Sequence, residues 1–268
     1  MKRFITKHYS IIIKFYQKLF VKKKLYFYNK VFYDLALRGM GILNYEDSKI
    51  SGEEYFLKRF FKKYQNPVIF DIGANIGNYS KKCVEINKYG LIYAFEPHPI
   101  SYKSLFSLSR TLDFKAFNLG IGDKDEKITI YDYQDKQGSE HASFHKLAIK
   151  SENLCEYETE VITLDNFIRN NNVQKIDLLK IDTEGNELNV LKGAQNSINS
   201  LIIGIIQFEF NEMNLVSKAS FKDFLNILDN YYIFRLLPDG MVEIAYSSIE
   251  CEIYAYQNIV AVRKDIDF

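Results

Sequence analysis

The stretch VIFDIGANIGNYS, residues 68–80, decides the fold predicted for this chain. It begins with apolar strand-forming residues around Asp71, and Gly73 and Gly77 then frame a short turn. Glycines let the backbone turn sharply and let a ligand approach the main chain, while a helix that begins beside Gly77 offers free N–H groups to an anion. We therefore expect a ligand site at the carboxyl end of a strand, where open parallel sheets bind their ligands.

Downstream of residue 66, short apolar runs alternate with helical patterns. Nearly continuous runs of Ile, Leu, Val and Phe are typical of strands buried on both faces, and their alternation with helices predicts a parallel sheet. Residues 124–168 show period-2 runs around a polar loop and predict a hairpin-like insertion. The runs at 231–246 and 252–263 predict a pair of antiparallel strands that close one sheet edge. The predicted parallel strands are 67–72, 91–96, 114–119, 176–182 and 202–210, and the predicted helices are 77–88, 100–110, 186–198 and 220–230.

The first 60 residues lack strand alternation and predict a basic helical segment, followed by one globular domain over residues 61–268. Residues 1–30 hold nine Lys and Arg and no acid, whereas the remainder holds 26 basic and 34 acidic residues. A helix over residues 11–24 would place apolar side chains on one face and lysines on another. Such a helix suits peripheral contact with an anionic membrane, or packing on the main domain or on a second subunit of a homo-oligomer.

The composition indicates the compartment of the protein and the classes of partner that we expect. Lys plus Arg number 35 and Asp plus Glu number 34, so the overall charge does not indicate an anionic partner. We expect no nucleic-acid partner. The three cysteines, Cys83, Cys155 and Cys251, are far apart without a C-x-x-C pair, which indicates a reducing compartment and argues against structural zinc. No other metal-ligand spacing stands out. We expect a cytoplasmic protein, because no signal peptide is evident and the longest uncharged apolar run falls short of the roughly 20 residues of a membrane span.

Glu96 closes the second predicted strand, and its position favours contact with a ribose. A carboxylate only accepts hydrogen bonds and can take both ribose hydroxyls at once. The full G-x-G-x-x-G spacing and a following G-K-[ST] are absent, so a nucleoside triphosphate is not expected. Glu96 fits a dinucleotide or S-adenosylmethionine, and the surrounding acids without a nearby Arg suit the positively charged S-adenosylmethionine better. Asp71 has two open roles, since it either contacts the ligand or anchors the glycine turn.

Six motifs, ordered along the chain, resemble those of the FkbM-type S-adenosylmethionine-dependent methyltransferases. The strings F-D-I-G-A-N-I-G and K-I-D-T-E-G are the most specific, and the resemblance covers roughly residues 40–211. The motifs are GILNYEDSKISGEEYFL (41–57), VIFDIGANIGNYS (68–80), AFEPHP (94–99), LGIGDKDEKITIY (119–131), LDNF (164–167) and LLKIDTEGNELNVLKGA (178–194).

The resemblance implies an α/β class I, Rossmann-like fold: a seven-stranded methyltransferase sheet with an antiparallel C-terminal strand, here preceded by the helical N-terminal segment. It also implies methyl transfer from S-adenosylmethionine to a hydroxyl of a sugar, a glycan or a related polyol-like metabolite. By the same likeness, Asp71, Gly73, Asn75 and Gly77 contact the methionine part of the donor, Glu96 contacts the ribose, and Gly122 and Asp123 line the adenine side.

A neutral hydroxyl is a poor nucleophile and needs a base within hydrogen-bond reach. Asp182 and Glu209 lie at the carboxyl ends of two predicted strands, where the fold places the methyl donor. Asp182 is therefore the first candidate for the base and Glu209 the second. Asp182 could equally hydrogen-bond the ammonium group of the donor or the loop backbone. Glu184 could cap the helix that follows it. His141, in a polar part of the insertion, is a weaker candidate for the base near neutral pH.

Two other classes of function stay open at the level of the residues. The first is an NAD-dependent oxidoreductase or a sugar-nucleotide epimerase, which shares the strand, the glycine turn and the ribose acid. The missing third glycine and the lack of a Tyr-x-x-x-Lys pair in a helix count against it. The second is a non-catalytic scaffold that associates with membranes through the basic N-terminus.

Overall fold

The chain forms two compact units, residues 1–43 and residues 44–268, which we call the N-terminal unit and the main unit. The computed structural model describes residues 2–133 and 154–268. The sequence predicts the division after residue 60, whereas the compact units divide between Leu43 and Asn44. The difference arises because the helix Glu53–Lys63 buries Phe56 and Phe60 in a core of the main unit.

The elements follow the chain in an order that alternates strands with helices. The strands are β1 Val68–Ile72, β2 Leu91–Phe95, β3 Lys115–Phe117, β4 Gly120–Gly122, β5 Glu126–Tyr133, β6 Leu154–Thr163, β7 Ile176–Ile181, β8 Ile203–Phe210, β9 Tyr231–Leu237, β10 Gly240–Glu243 and β11 Gln257–Arg263. The helices are α1 Lys2–Phe20, α2 Tyr26–Gly39, α3 Glu53–Lys63, α4 Asn78–Ile86, α5 Pro99–Leu112, α6 Leu164–Asn170, α7 Glu187–Gly193, α8 Gln195–Asn199, α9 Met213–Val216, α10 Phe221–Ile227 and α11 Ser248–Cys251, with a 3₁₀ turn at Lys23–Leu25. Among the described residues, no helix combines the length and the apolar character that a bilayer crossing requires.

Eight strands form one large sheet in the order β10-β9-β11-β8-β7-β1-β2-β3. Five neighbouring strands run parallel, namely β3, β2, β1, β7 and β8, while β11 is antiparallel to both of its neighbours. The first two parallel strands after the N-terminal helices, β1 and β2, lie beside each other, and β7 pairs on the other side of β1. The strand order therefore reverses at β1, and this switch point is where open α/β sheets bind ligands.

The two faces of the large sheet bury different side chains. Most of one face is apolar, and its core contains Phe70, Phe95, Phe208 and Phe210. The register aligns Asp71 with Lys180 and Lys180 with Gln207, so these polar residues share the opposite face. Toward the amino ends of the strands that face is also apolar and packs against α3, α4 and α5. The polar side chains therefore collect near the carboxyl ends of the parallel strands.

The C-terminal region contains the predicted antiparallel pair as β9 and β11, and it adds one further strand. The prediction placed strands at 231–246 and 252–263 beside each other at an edge. In the structure, Pro238 and Asp239 form the turn of a β9–β10 hairpin, and β11 inserts between β8 and β9. The large sheet therefore keeps the seven-stranded arrangement and gains β10 as an eighth, edge strand.

The insertion at residues 124–168 forms a hairpin, as predicted, but ends earlier. Strands β5 and β6 pair antiparallel, and β4 joins them in a separate three-stranded sheet in the order β4-β6-β5. The residues from Leu164 form helix α6 and do not extend the strand. The Thr163 hydroxyl accepts a hydrogen bond from the backbone N–H of Asn166 and caps this helix. The predicted helix at 186–198 is likewise divided, into α7 and α8.

Candidate active site

The glycine turn after β1 is shaped by the chain itself. Gly73 has a positive φ of 79°, and a Cβ at this position would lie 1.8 Å from the Asp182 carbonyl oxygen. Gly77, with φ 92°, would bring a Cβ to 2.8 Å from Leu108. The sequence attributes both glycines to the approach of a ligand, but packing between β1, β7 and α5 already requires them. The turn is consequently rigid before any ligand binds.

Glu96 links this turn to the loop after β2. One carboxylate oxygen accepts the backbone N–H of Asn75 at 2.8 Å, and the other accepts the backbone N–H of His98 at 2.7 Å. The side chain is buried, and burial raises the pKa of Glu96 to about 7, against the lowering effect of these two hydrogen bonds. Because each carboxylate oxygen has a second lone pair, Glu96 retains acceptor capacity for two hydroxyl groups.

The loop that holds Glu96 also contacts the small sheet. His98 is buried, and its Nε2 lies 3.3 Å from a carboxylate oxygen of Asp132 on β5. The Thr159 hydroxyl on β6 donates to the Pro97 carbonyl at 3.2 Å. These contacts fix the hairpin β5–β6 beside the predicted ribose segment.

Asp71 faces helix α4 and acts as an anchor in the structure. The Ser80 hydroxyl donates to its carboxylate at 2.6 Å, and only 1% of Asp71 is exposed. Burial raises the pKa of Asp71 to about 6, opposed by the hydrogen bond from Ser80 and by the charge of Lys180. Of the two roles left open for Asp71, this geometry favours the structural one.

Asn75 presents an acceptor that the protein leaves unused. Its backbone has a positive φ of 49°, in the left-handed region where Asn is more common than most residues. The Oδ1 atom is buried and has no hydrogen-bond partner among the described residues. An unpaired buried acceptor is costly, so this atom suits a donor group of a ligand.

The carboxyl ends of β7 and β8 bring a lysine between carboxylates. Lys180 is 2% exposed, and its Nζ lies 3.2 Å from a carboxylate oxygen of Asp182. Burial lowers the pKa of Lys180, but the charges of Asp182 and Glu209 outweigh burial and raise this pKa above its usual value. Lys180 therefore stays protonated and compensates two acids at this end of the sheet.

Glu209 differs from the other acids in its surroundings. Burial, followed by the charge of Asp182, raises its pKa well above the usual value, although Lys180 opposes this effect. Within residues 2–133 and 154–268, no hydrogen bond reaches the Glu209 carboxylate. Both of its oxygens are consequently available to a ligand.

A chain of neutral polar side chains extends from this cluster across the sheet. The Tyr79 hydroxyl donates to Gln207 Oε1 at 2.7 Å, and Gln207 Nε2 donates to Asn258 Oδ1 at 3.0 Å. The Nδ2 atom of the buried Asn258 has no partner among the described residues, and Asn258 pairs in register with Glu209. Lys180, Gln207 and Asn258 are not among the site residues predicted from the sequence. Each is a polar residue inside an otherwise apolar strand, and that exception is the signal that would have identified them.

The loop after β7 is organised by Glu187. The buried Glu187 carboxylate accepts the backbone N–H groups of Thr183, at 2.9 Å, and of Gly185, at 3.1 Å. The cap role considered for Glu184 stays a prediction. Glu184 has a positive φ of 50°, and burial, with the charges of Asp182 and Glu187, raises its pKa to about 8.

One predicted site residue, Asp123, shares no hydrogen bond or ion pair with these groups among the described residues. Asp123 is exposed after β4 in the small sheet. No hydrogen bond or ion pair in the described part of the chain joins Asp123 to Glu96 or to Asp182. His141 lies outside the described residues. Those residues also contain no group of three or more side chains arranged to hold a metal ion.

The strand order, with an antiparallel β11 beside β8 and a glycine turn at the switch point, defines a class I methyltransferase fold. The model of the family described as "Methyltransferase FkbM domain" matches residues 71–235, which is more than half of the chain. The chain belongs to this family of S-adenosylmethionine-dependent methyltransferases. The predicted family, fold, enzyme class and methyl donor are thus confirmed, and the NAD-dependent alternative is set aside.

Relatives with described activities share this domain at low identity. The hexuronic acid methyltransferase AglP of Haloferax volcanii is 26% identical over 59% of this chain and 63% of its own length, so the match spans less than two thirds of AglP. The 2-O-methyltransferase NoeI of Sinorhizobium fredii is 22% identical over 66% of this chain and 76% of its own length. A solved S-adenosylmethionine-dependent O-methyltransferase of Thermotoga maritima is similar with 10% identity and a TM-score of 0.41, over 81% of this chain and 66% of that one.

The residues at the switch point fit this donor. S-adenosylmethionine carries an ammonium group, a sulfonium and a ribose, and the site offers the unpaired Asn75 Oδ1 together with the carboxylates of Glu96 and Asp182. Acceptors and negative charges are the groups that a cationic ligand requires.

Proposed function

We propose that this protein transfers a methyl group from S-adenosylmethionine to a hydroxyl of a sugar or glycan, with Glu209 as the base. The observation that carries the proposal is the pair of carboxylates around the buried Lys180, at the sheet edge that also holds the glycine turn. Asp182 is already paired with Lys180, whereas Glu209 has free oxygens. The geometry therefore favours Glu209 over Asp182 as the proton acceptor and leaves Asp182 to bind the donor.

The chemistry asks two things of the protein, alignment and proton removal. Bound S-adenosylmethionine supplies an electrophilic methyl group on a positively charged sulfur. Glu209 accepts the proton of the acceptor hydroxyl while the oxygen of that hydroxyl forms the new bond to the methyl carbon. A raised pKa makes the Glu209 carboxylate a stronger base than an exposed one, and the charge of the nearby Lys180 favours its ionised form. Glu96 holds the ribose, and the Asn75 side chain accepts from the ammonium group.

A saccharide acceptor is supported by two further observations. Tyr45 and Tyr256 form an edge-to-face pair with ring centroids 6.0 Å apart. Burial and the charge of Glu209 raise the pKa of Tyr256, which places its ring in the field of the proposed base. Aromatic rings suit the apolar faces of sugars. The names of AglP and NoeI, a hexuronic acid methyltransferase and a 2-O-methyltransferase, point to the same class of acceptor.

We also propose a reducing compartment such as the cytoplasm. Cys83, Cys155 and Cys251 form no disulfide with one another. Cysteines without disulfides are typical of proteins in reducing compartments.

The test is methyl transfer by the full chain to a panel of hexoses, hexuronic acids and oligosaccharides, with labelled S-adenosylmethionine and detection by mass spectrometry. We expect Glu209→Gln to lower kcat by about 10²- to 10⁴-fold, the usual contribution of a general base, with unchanged affinity for S-adenosylhomocysteine. In the wild type, kcat should rise with pH through the elevated pKa of Glu209, because only the ionised carboxylate accepts a proton.

The matched control is Glu85→Gln, which neutralises an exposed carboxylate on α4. It should leave kcat within about twofold, since exposed ion pairs contribute little. Full activity of Glu209→Gln would remove Glu209 as the base. Absence of product with every saccharide, in a protein that binds S-adenosylhomocysteine, would contradict the acceptor class.

A further inference from the structure

The N-terminal unit exposes an unusual amount of apolar surface for a segment so rich in lysine. Almost every residue from Ser10 to Ala36 is exposed, including many large hydrophobic side chains. The helix pair is nevertheless ordered internally, because Tyr16 donates to Asn29 Oδ1 and Asn29 Nδ2 donates to the Phe20 carbonyl. The exposed apolar side chains of α1 are Ile11, Ile12, Ile13, Phe15, Tyr16, Leu19 and Phe20.

These side chains are not scattered around α1. With about 100° between successive residues, the apolar positions from residue 11 to residue 20 cover an arc of about 200°. Lys14 and Lys18 lie within the remaining arc, and Lys18 is next to its boundary with the apolar face. Helix α2 adds exposed aromatic rings, among them Tyr26, Phe27 and Phe32. Amphipathic helices with lysines beside an apolar face and aromatic residues at the boundary are typical of segments that lie in a lipid–water interface.

The charge of the N-terminal unit indicates which kind of partner binds the apolar face of α1. Residues 1–30 carry nine basic residues and no acid, while the rest of the chain is acidic by eight charges. A second copy of the unit would bring an equally basic surface, and like charges oppose that pairing. An anionic lipid surface instead attracts each lysine and accepts the apolar side chains at the acyl boundary.

We propose that the N-terminal unit binds the surface of membranes that contain anionic lipids, with α1 lying parallel to the bilayer. The lysines contact headgroups, and the face that includes Ile12, Phe15 and Leu19 enters the interface. The inference does not depend on methyl transfer, because it concerns only the N-terminal unit.

The experiment is cosedimentation of the full chain with phosphatidylcholine vesicles that contain about one third phosphatidylglycerol. We expect binding to these vesicles, weak binding to pure phosphatidylcholine, and release at about 1 M salt, where the Debye length falls to about 3 Å. The triple variant Lys14→Glu, Lys18→Glu, Lys22→Glu should bind about 100-fold less tightly or worse, because each lysine near the surface contributes about fivefold.

The control variant Lys62→Glu, Lys63→Glu, Lys103→Glu changes the net charge equally at exposed lysines of the main unit, and it should keep most of the binding. A second variant, Ile12→Ala, Phe15→Ala, Leu19→Ala, keeps all charges and should lose the interfacial insertion, seen as binding that a moderate salt concentration abolishes. Light scattering should find a monomer without vesicles. Equal binding to neutral vesicles, equal loss in the control variant, or a dimer that the alanine variant dissociates would each overturn the proposal.

Discussion

Two groups of carboxylates meet at the same edge of the large sheet, and they differ in how the protein satisfies them. Around the glycine turn, Asp71 accepts one short hydrogen bond and Glu96 accepts two, all from groups of the chain itself. Asp182 and Glu209, at the ends of β7 and β8, are compensated mainly by the charge of Lys180.

The difference separates a group that shapes the site from a group that can react. A carboxylate held by directional hydrogen bonds is fixed in position, and it stabilises the turn that contains Asn75. Asp182 accepts one hydrogen bond from Lys180, whereas the Glu209 carboxylate accepts none within the described residues and can take up a proton without breaking one. Three substitutions test this distinction, in order of the expected change in the free energy of unfolding.

The largest change is expected from Lys180→Met. Removing one partner of a buried ion pair costs about 3–5 kcal/mol, and we expect about 3 kcal/mol because Asp182 is 39% exposed. Urea unfolding measures this loss. The control Lys81→Met breaks an exposed pair with Glu85 and should cost less than about 1 kcal/mol. Equal stability of Lys180→Met and wild type would show that Lys180 does not compensate the acids.

A change of opposite sign is expected from Asp71→Asn. The raised pKa of Asp71, about 6, means that the folded protein binds more protons than the unfolded chain between about pH 4 and pH 6. Stability is therefore present at low pH and is lost as the pH rises through the folded pKa. The Asn side chain still accepts from Ser80 and does not ionise, so it should stabilise the protein by about 2 kcal/mol at pH 7.5 and little at pH 4.5.

Urea unfolding at both pH values checks this prediction. A stabilisation that does not depend on pH would mean that ionisation of Asp71 is not its cause.

The smallest change in stability is expected from Glu96→Gln. An amide has one acceptor oxygen, so the backbone N–H of either Asn75 or His98 loses its partner at a cost of about 1–2 kcal/mol, which is partly offset above pH 7 because Gln does not ionise at a site that raises the pKa of Glu96. Affinity for S-adenosylhomocysteine should fall about tenfold or more, because the ribose also loses a charged acceptor. Calorimetry measures the affinity, with Glu85→Gln as the control. Wild-type affinity in Glu96→Gln would separate Glu96 from the donor site.

Local patterns predicted most of the fold. The apolar runs around Phe70, Leu179 and Phe208 became central parallel strands, because a strand covered on both faces must be apolar along its length. The position of β11 could not be derived in this way. Its sequence is equally apolar whether it pairs with β9 alone or lies between β8 and β9, and only long-range hydrogen bonding distinguishes the two arrangements.

The candidate site was predicted in its residue types and less well in their roles. Asp182 and Glu209 were identified because they follow or end strands, but their shared lysine was overlooked within an apolar run. Glu184 and Glu187 lie three residues apart in one loop, and the sequence alone does not reveal which carboxylate turns toward the backbone N–H groups. Asp123 lies in the small sheet, whose relation to the large sheet depends on the contacts of His98 and Asn186.

The sequence by itself determined the alternation of strands and helices, the glycine turn after β1 and the presence of acids at the carboxyl ends of strands. Each of these follows from residue patterns over a few neighbouring positions. Only the tertiary structure decided which acids are held by hydrogen bonds and which are balanced by Lys180, because burial and charge pairing join residues as far apart as Asp71, Lys180 and Glu209. Burial and those long-range contacts raise the pKa of Asp71 and of Glu209, and hence their capacity to accept a proton.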